Sequence, residues 1–175
     1  MQKEADRARK RKDDVREEDE VGTFFSADGS VYEGKVSRRE IPVEFPPGMP
    51  MPILSSSLRV QLPPELMPQV IPIQNGKGVF RDAGGAIYEG SWAEGAMCGE
   101  GALRFPSGAT YTGGMRGNKF YGTGTYYWPD GSRYEGQWEN NKMHGFGTYV
   151  DAQGGRWTGK FYHGCGIGLL AEIHL

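Results

Sequence analysis

A glycine and aromatic pattern that returns every 23 residues constrains this chain more than any other feature. Tyr88, Tyr111, Tyr134 and Trp157 form one column of the repeat, and Gly90, Gly113, Gly136 and Gly159 follow two residues later. Three further columns are glycine: Gly76, Gly99, Gly122 and Gly145; Gly78, Gly101, Gly124 and Gly147; Gly85, Gly108, Gly131 and Gly154. A fixed period of this kind marks a supersecondary unit that buries its apolar face only by stacking on its neighbours. Glycine supplies 28 of the 175 residues, about twice the ordinary share. With the aromatics, it points to turns and strands rather than helices.

Within a unit the alternation is that of strands. Tyr111, Gly113 and Met115 share one face and Thr112 and Gly114 the other; Gly124, Tyr126 and Trp128 then alternate with Thr125 and Tyr127. The stretch RGNKFYGT (116–123) reads as the loop between the two strands. Tyr88, Gly90 and Trp92 with Gly101, Leu103 and Phe105 repeat the arrangement, as do Tyr134, Gly136 and Trp138 with Gly147 and Tyr149. One face thus carries rings separated by glycines, and the other carries Glu89, Ser91, Arg104, Glu135 and Gln137. Gly90, Gly113, Gly136 and Gly159 read as notches across which a ring from a neighbouring strand can lie. Each ring then buries roughly 150–250 Å². Gly85, Gly108, Gly131 and Gly154 close the turns; in Pro106–Gly108 and Pro129–Gly131 proline presets φ and glycine accepts a positive φ. The expected fold is all-β: an elongated, twisted, single-layer antiparallel meander of consecutive 23-residue β-hairpins.

Upstream, Tyr32 stands 56 residues before Tyr88, which is 23 plus 33, and Phe24 to Phe80 and Gly29 to Gly85 show the same offset. Tyr32 therefore opens a repeat whose return strand is Gly78–Phe80, split by an insertion of about 33 residues, a long loop of the functional or disordered kind. That arm, placed at 37–75, holds nine of the eleven prolines and favours extended geometry. It is also apolar, with Phe45, Met49, Met51, Ile53 and Leu54 among its residues, unlike a polar linker. Two destinations stay open: its own aromatic face, or another protein. The repeat sheet is expected over 22–162. A charged N-terminal tail over 1–21 carries a basic block at Arg7–Lys12 and acids at Glu17–Glu20. It reads as solvated, or as docking on an acidic surface. The segment 163–175 suits a last strand or a cap.

The recurring Tyr-Glu-Gly-x-Trp, Gly-x-Gly and Pro-x-Gly elements, as in YEGSWAEGAMCGEGALRFPSGA (88–109) and YEGQWENNKMHGFGTYVDAQGG (134–155), resemble the MORN repeat (membrane occupation and recognition nexus). The resemblance covers about Gly76 to Tyr162 and the split copy upstream. The C-terminal half is similar to small MORN-repeat proteins of ciliated cells. The family occurs in radial spokes and other axonemal assemblies, in apicomplexan and trypanosome cytoskeletons, and beside lipid-kinase domains. The resemblance implies a non-catalytic scaffold or adaptor. Its partners would be other proteins of a large cytoskeletal assembly such as a radial spoke or central apparatus, in the cytoplasm and foremost in the ciliary or flagellar axoneme.

The chemistry-bearing residues add little to this. His144 is placed in the repeat loop, in a column with Cys98 and Tyr121 that preserves no one chemistry. His163-Gly164-Cys165 has no base at a recognisable spacing, and Gly164, Gly166 and Gly168 lack the lysine and helix of a phosphate loop. No catalytic site, cofactor or metal is expected. Two cysteines make no disulfide framework and fit a reducing compartment. The net charge of -2 gives no field toward nucleic acid, and no apolar run reaches the roughly 18 residues that span a bilayer. The candidate partner-binding residues are Tyr88, Trp92, Phe105, Tyr111, Tyr126, Trp128, Tyr134, Trp138, Tyr149 and Trp157, an aromatic face that needs cover, with the arm residues named above. Self-association is expected where no partner covers it. The alternatives are a phospholipid-binding module, against which nine Lys/Arg balance nine Asp/Glu from Gly76 onward, and a regulatory subunit of an enzyme.

Overall fold

The computed structural model describes residues 20–41 and 69–172. They form one open antiparallel sheet whose eleven strands lie in sequence order. The strands are β1 (Glu20–Phe25), β2 (Val31–Ile41), β3 (Gln69–Arg81), β4 (Ile87–Ala93), β5 (Ala96–Arg104), β6 (Thr110–Arg116), β7 (Lys119–Tyr127), β8 (Arg133–Glu139), β9 (Lys142–Val150), β10 (Arg156–Tyr162) and β11 (Cys165–Ala171). The single-layer meander expected from the period is the fold.

Two kinds of turn alternate along the sheet. At one end, Gly108 N donates to Phe105 O at 3.0 Å and Phe105 N to Ala109 O at 2.9 Å, and the stretch from Trp128 to Ser132 repeats both bonds. Gly108 and Gly131 stand at φ 89°, which completes a type I turn with one left-handed residue. At the other end, Glu94–Gly95, Gly117–Asn118, Asn140–Asn141 and His163–Gly164 all have positive φ at both positions, the signature of two-residue type I′ turns. Their twist matches that of the strands, so the ladder runs up to the turn. This corrects the eight-residue loop read at 116–123: Lys119–Thr123 belong to β7, and His144 likewise lies in β9. Successive I′ turns are also bonded to each other. Asn141 N donates to Phe120 O at 3.2 Å and Phe120 N to Asn141 Oδ1 at 2.7 Å; Asn118 and Met97 make the same pair of bonds.

The split repeat is present. Tyr32 pairs with Phe80 and Gly34 with Gly78, and the ladder continues from Val36–Gln74 to Ile41–Gln69. Residues 37–41 and 69–75, read as part of the arm, are therefore strand. Pro72 sits in β3 opposite Arg38, but β4 pairs with β3 only from Gly76 onward. Proline is tolerated there because one edge is unpaired. Phe45, Met49, Met51, Ile53 and Leu54 lie outside the described residues, as does the tail before Glu20, whose expected last residues Glu20 and Val21 open β1. Past His163, β11 is the return strand of a last hairpin, paired with β10.

Among the described residues the core is built in one layer. The largest fully buried side chains are Tyr32, Tyr88, Tyr111 and Tyr134. Each ring lies flat over a cross-strand glycine pair of its own hairpin: Gly34–Gly78, Gly90–Gly101, Gly113–Gly124 and Gly136–Gly147. A Cβ on Gly101 would meet Tyr88 Cε2 at 2.5 Å, and one on Gly147 would meet Tyr134 Oη at 2.4 Å. The ring over each notch thus comes from the same strand, two residues earlier, and not from a neighbouring strand as the alternation suggested. Just past the glycine pair the register shifts, with Gly99, Gly122 and Gly145 at φ 76°, 79° and 62°. Such a bulge leaves a residue without an opposite number across the hairpin; here Ser91 and Gly114 are skipped. The tyrosine hydroxyl takes the backbone carbonyl three residues on, at Ser91, at Gly114 and at the equivalent Gln137, which is paired with His144. Tyr88 donates to Ser91 O at 3.0 Å, Tyr111 to Gly114 O at 2.8 Å and Tyr134 to Gln137 O at 3.0 Å.

Candidate functional site: an aromatic groove along the sheet

Three rows of side chains cross the ring-bearing face. The seated tyrosines form the first. The second is the column four residues further on, Trp92, Met115, Trp138 and Phe161, also buried. Its rings stand edge-on between tyrosines of successive hairpins: Trp92 lies 5.1 Å from Tyr32 and 5.4 Å from Tyr88, and Trp138 lies 5.5 Å from Tyr111 and 5.2 Å from Tyr134. Edge-to-face contacts at this spacing add about 0.5–1.5 kcal/mol each beyond burial. Trp138 Nε1 also donates to Gly124 O at 3.0 Å.

The third row is open to solvent. Phe105, Tyr126, Trp128, Tyr149 and Trp157 are half-buried and run toward the Pro-x-Gly end of the face. Phe105 and Tyr126 are 6.1 Å apart, Tyr126 and Trp128 4.8 Å, Trp128 and Tyr149 5.9 Å, and Tyr149 and Trp157 6.0 Å. Between this row and the I′ turns run two adjoining cavities. One, of about 320 Å³, is lined by Phe80, Met97, Leu103, Phe105, Met115 and Phe120. The other, of about 330 Å³, is lined by Phe105, Phe120, Tyr126, Trp128, Trp138 and Met143. They share Phe105, Phe120 and Asn141 and so form one groove across several strands.

The ten ring residues named from the sequence therefore divide. Tyr88, Trp92, Tyr111, Tyr134 and Trp138 are buried by the chain itself and hold the sheet together; Trp138 also forms part of the groove floor. Phe105, Tyr126, Trp128, Tyr149 and Trp157 present half-open rings. Alternation by face places both sets together, because it carries no sign that a ring seated on two glycines leaves room for a second ring beside it. Phe120, Met97 and Met143 were missed. Their own 23-residue column stands at the start of the return strands, which alternation alone reads as loop.

The groove is lined mainly by aromatic and methionine side chains, with Asp82, Asn118, Asn141 and Lys142 as its polar groups. The tyrosine hydroxyls beneath it are held neutral. Burial pushes Tyr88 and Tyr134 up to about 12 and raises Tyr32 and Tyr111 as well. Elsewhere, His144 Nδ1 lies 3.5 Å from Glu139 Oε2, His163 is the first residue of a turn, and Cys165 is exposed. Among the described residues no group of three or more His, Cys, Asp or Glu side chains is placed to hold a metal ion.

Residues 88–110, 111–133 and 134–156 match the MORN repeat. The chain thus carries three consecutive MORN repeats, each opening on a seated tyrosine. The hairpin of Tyr32 has the same glycine seat outside the matched span. No curated protein matches the sequence.

Proposed function

We propose that this chain is a non-catalytic scaffold that holds an extended, apolar segment of a protein partner in the aromatic groove, as one component of a larger cytoskeletal assembly. The observation that carries the reading is the split among the rings. The sheet covers its seated tyrosines by itself and still leaves a continuous row from Phe105 to Trp157 half-open beside a groove. Aromatic-lined grooves of this type take extended and proline-containing chains, whose backbone loses little freedom on docking. Large rings also carry a disproportionate share of binding energy. The cytoskeletal address, with the ciliary axoneme first, rests on the resemblance to the MORN family alone.

The test is photo-cross-linking in ciliated cells from positions 126 and 128 in the groove, with position 125 on the opposite face as control. The reading expects a protein partner captured through one apolar segment from 126 and 128 and not from 125. Replacing Tyr126 and Trp128 by serine should release the chain from the cytoskeletal fraction with its circular dichroism unchanged. Retention of that double variant, or equal capture from position 125, would contradict the reading.

A further inference from the structure

We infer that a second copy of this chain pairs with the free edge of β11, joining two sheets about a two-fold axis. The inference rests on the edge strand and not on the groove, so it stands or falls separately from the function proposed above.

Among the described residues the meander leaves two open edges, β1 and β11. Natural proteins protect such edges with charge or proline. β1 begins with Glu20, paired with Arg38 at 2.6 Å, and also exposes Val21 and Phe25; β11 is followed by Glu172, paired with Arg156 at 3.0 Å. β11 reads Cys-Gly-Ile-Gly-Leu-Leu-Ala and has neither charge nor proline. Its outer face is also apolar and open. Ile167 is 57% and Leu170 76% exposed, beside Phe146 at 63% and Tyr162 at 57%. Ile167 stands opposite Lys160, which stands opposite Phe146, so these side chains form one row that stops at the edge.

The symmetry of the occupant follows from strand direction. Neighbouring strands run antiparallel and the strands number eleven, so β1 and β11 point the same way. Simple stacking of β11 on the β1 of another copy would be parallel. A two-fold axis perpendicular to the sheet instead makes β11 antiparallel to its copy and keeps the groove faces on one side.

One register matches every face. Ile167 and Leu170 lie on the outer face, opposite Lys160 and Thr158. Leu169 packs on the core side and Ala171 stands opposite Trp157; a Cβ on Gly166 would meet Leu169. Setting Ile167 against Leu170 of the second copy places Gly166 against Ala171 and Cys165 against Glu172, each pair sharing a face. The bulge at Gly168, φ 59°, falls on the axis, which divides the pairing into two symmetric ladders. The two Ile167–Leu170 pairs then close one apolar cluster, and no like charges oppose each other.

The test uses the full chain. Light scattering should give twice the monomer mass, falling twofold in Ile167→Lys and in Leu170→Asp with circular dichroism unchanged. In a Cys98→Ser background, Glu172→Cys should form a covalent dimer through Cys165 under mild oxidation. Adding Cys165→Ser should abolish the covalent link while leaving the non-covalent dimer. A wild-type monomer at every soluble concentration, a dimer indifferent to both edge substitutions, or covalent dimers that form without Cys165 would each overturn the inference.

Discussion

The hairpin of β8 and β9 and the hairpin of β10 and β11 occupy successive periods of one repeat and differ at two positions of the ring seat: Tyr134 gives way to Trp157 and Gly147 to Leu170. In the first, Tyr134 lies over Gly136 and Gly147, which face each other across the hairpin. In the second, Trp157 and Gly159 keep their places, but the residue 23 after Gly147 is Leu170. A leucine cannot lie beneath a ring. The pairing has slipped by one: Thr158, not Gly159, stands opposite Leu170. A slip of one residue reverses faces, so Leu170 points outward, 76% exposed, while Leu169 takes the core side. The comparison teaches that the glycine column sets register as well as making room. Where it fails, the chain keeps its strands and loses its seat.

The strongest way to break this contrast is to impose the last hairpin's defect on its neighbour. Gly147→Leu should either slip β9 or expel the Tyr134 ring. Overpacking costs about 1–3 kcal/mol, and losing the burial of a large ring about 3–5 kcal/mol. A loss of about 1–5 kcal/mol in urea denaturation is therefore expected, in the upper part of that range if the ring is expelled. A cost below about 1 kcal/mol would mean that the seat contributes little.

Alkaline titration sharpens the contrast next, because the last hairpin has a tryptophan where the others have a tyrosine. Burial holds Tyr88 and Tyr134 up to about 12, while an unfolded tyrosine ionises near 10. The unfolded chain therefore loses these protons first. The stability contributed by each seat is whole below pH 10 and is lost as the pH climbs from 10 toward 12, by up to about 1.4 kcal/mol per pH unit for each ring. The urea midpoint should fall over that window, and Tyr134→Phe should shallow the fall. An unchanged slope in that variant would remove Tyr134 from the account.

The smallest effect is the reverse repair. Leu170→Gly should let position 170 pair with Gly159, seen as new cross-strand amide contacts by NMR, with a stability change under about 1 kcal/mol. Persistence of the Thr158 pairing would show that another residue fixes the slip.

Much of this was legible in the sequence. Fixed columns gave the period, Pro-x-Gly gave one set of turns, and the 56-residue offset of Tyr32 gave the split hairpin. The other turns were hidden because Glu94–Gly95, Gly117–Asn118, Asn140–Asn141 and His163–Gly164 share a backbone conformation without sharing a residue pattern. Hiding them made a loop of Phe120 and His144. The groove was half legible. Alternation assigns a face, but it cannot tell a ring beneath another ring from one beside it. That distinction depends on the bulge at Gly99, Gly122 and Gly145, whose glycines the period displays without stating their geometry.

The central claim is that glycine pairs seat the tyrosines and so give one layer a core. The most direct measurement is a double-mutant cycle by urea denaturation with Gly147→Ala, Tyr134→Ala and both together. If the seat is real, Gly147→Ala is severe in the wild-type background and close to neutral once the Tyr134 ring is gone, a coupling at or above the upper end of the roughly 0.5–3 kcal/mol found for residues in contact. Equal costs in the two backgrounds would mean that Gly147 is needed for its backbone alone, and the account would fail.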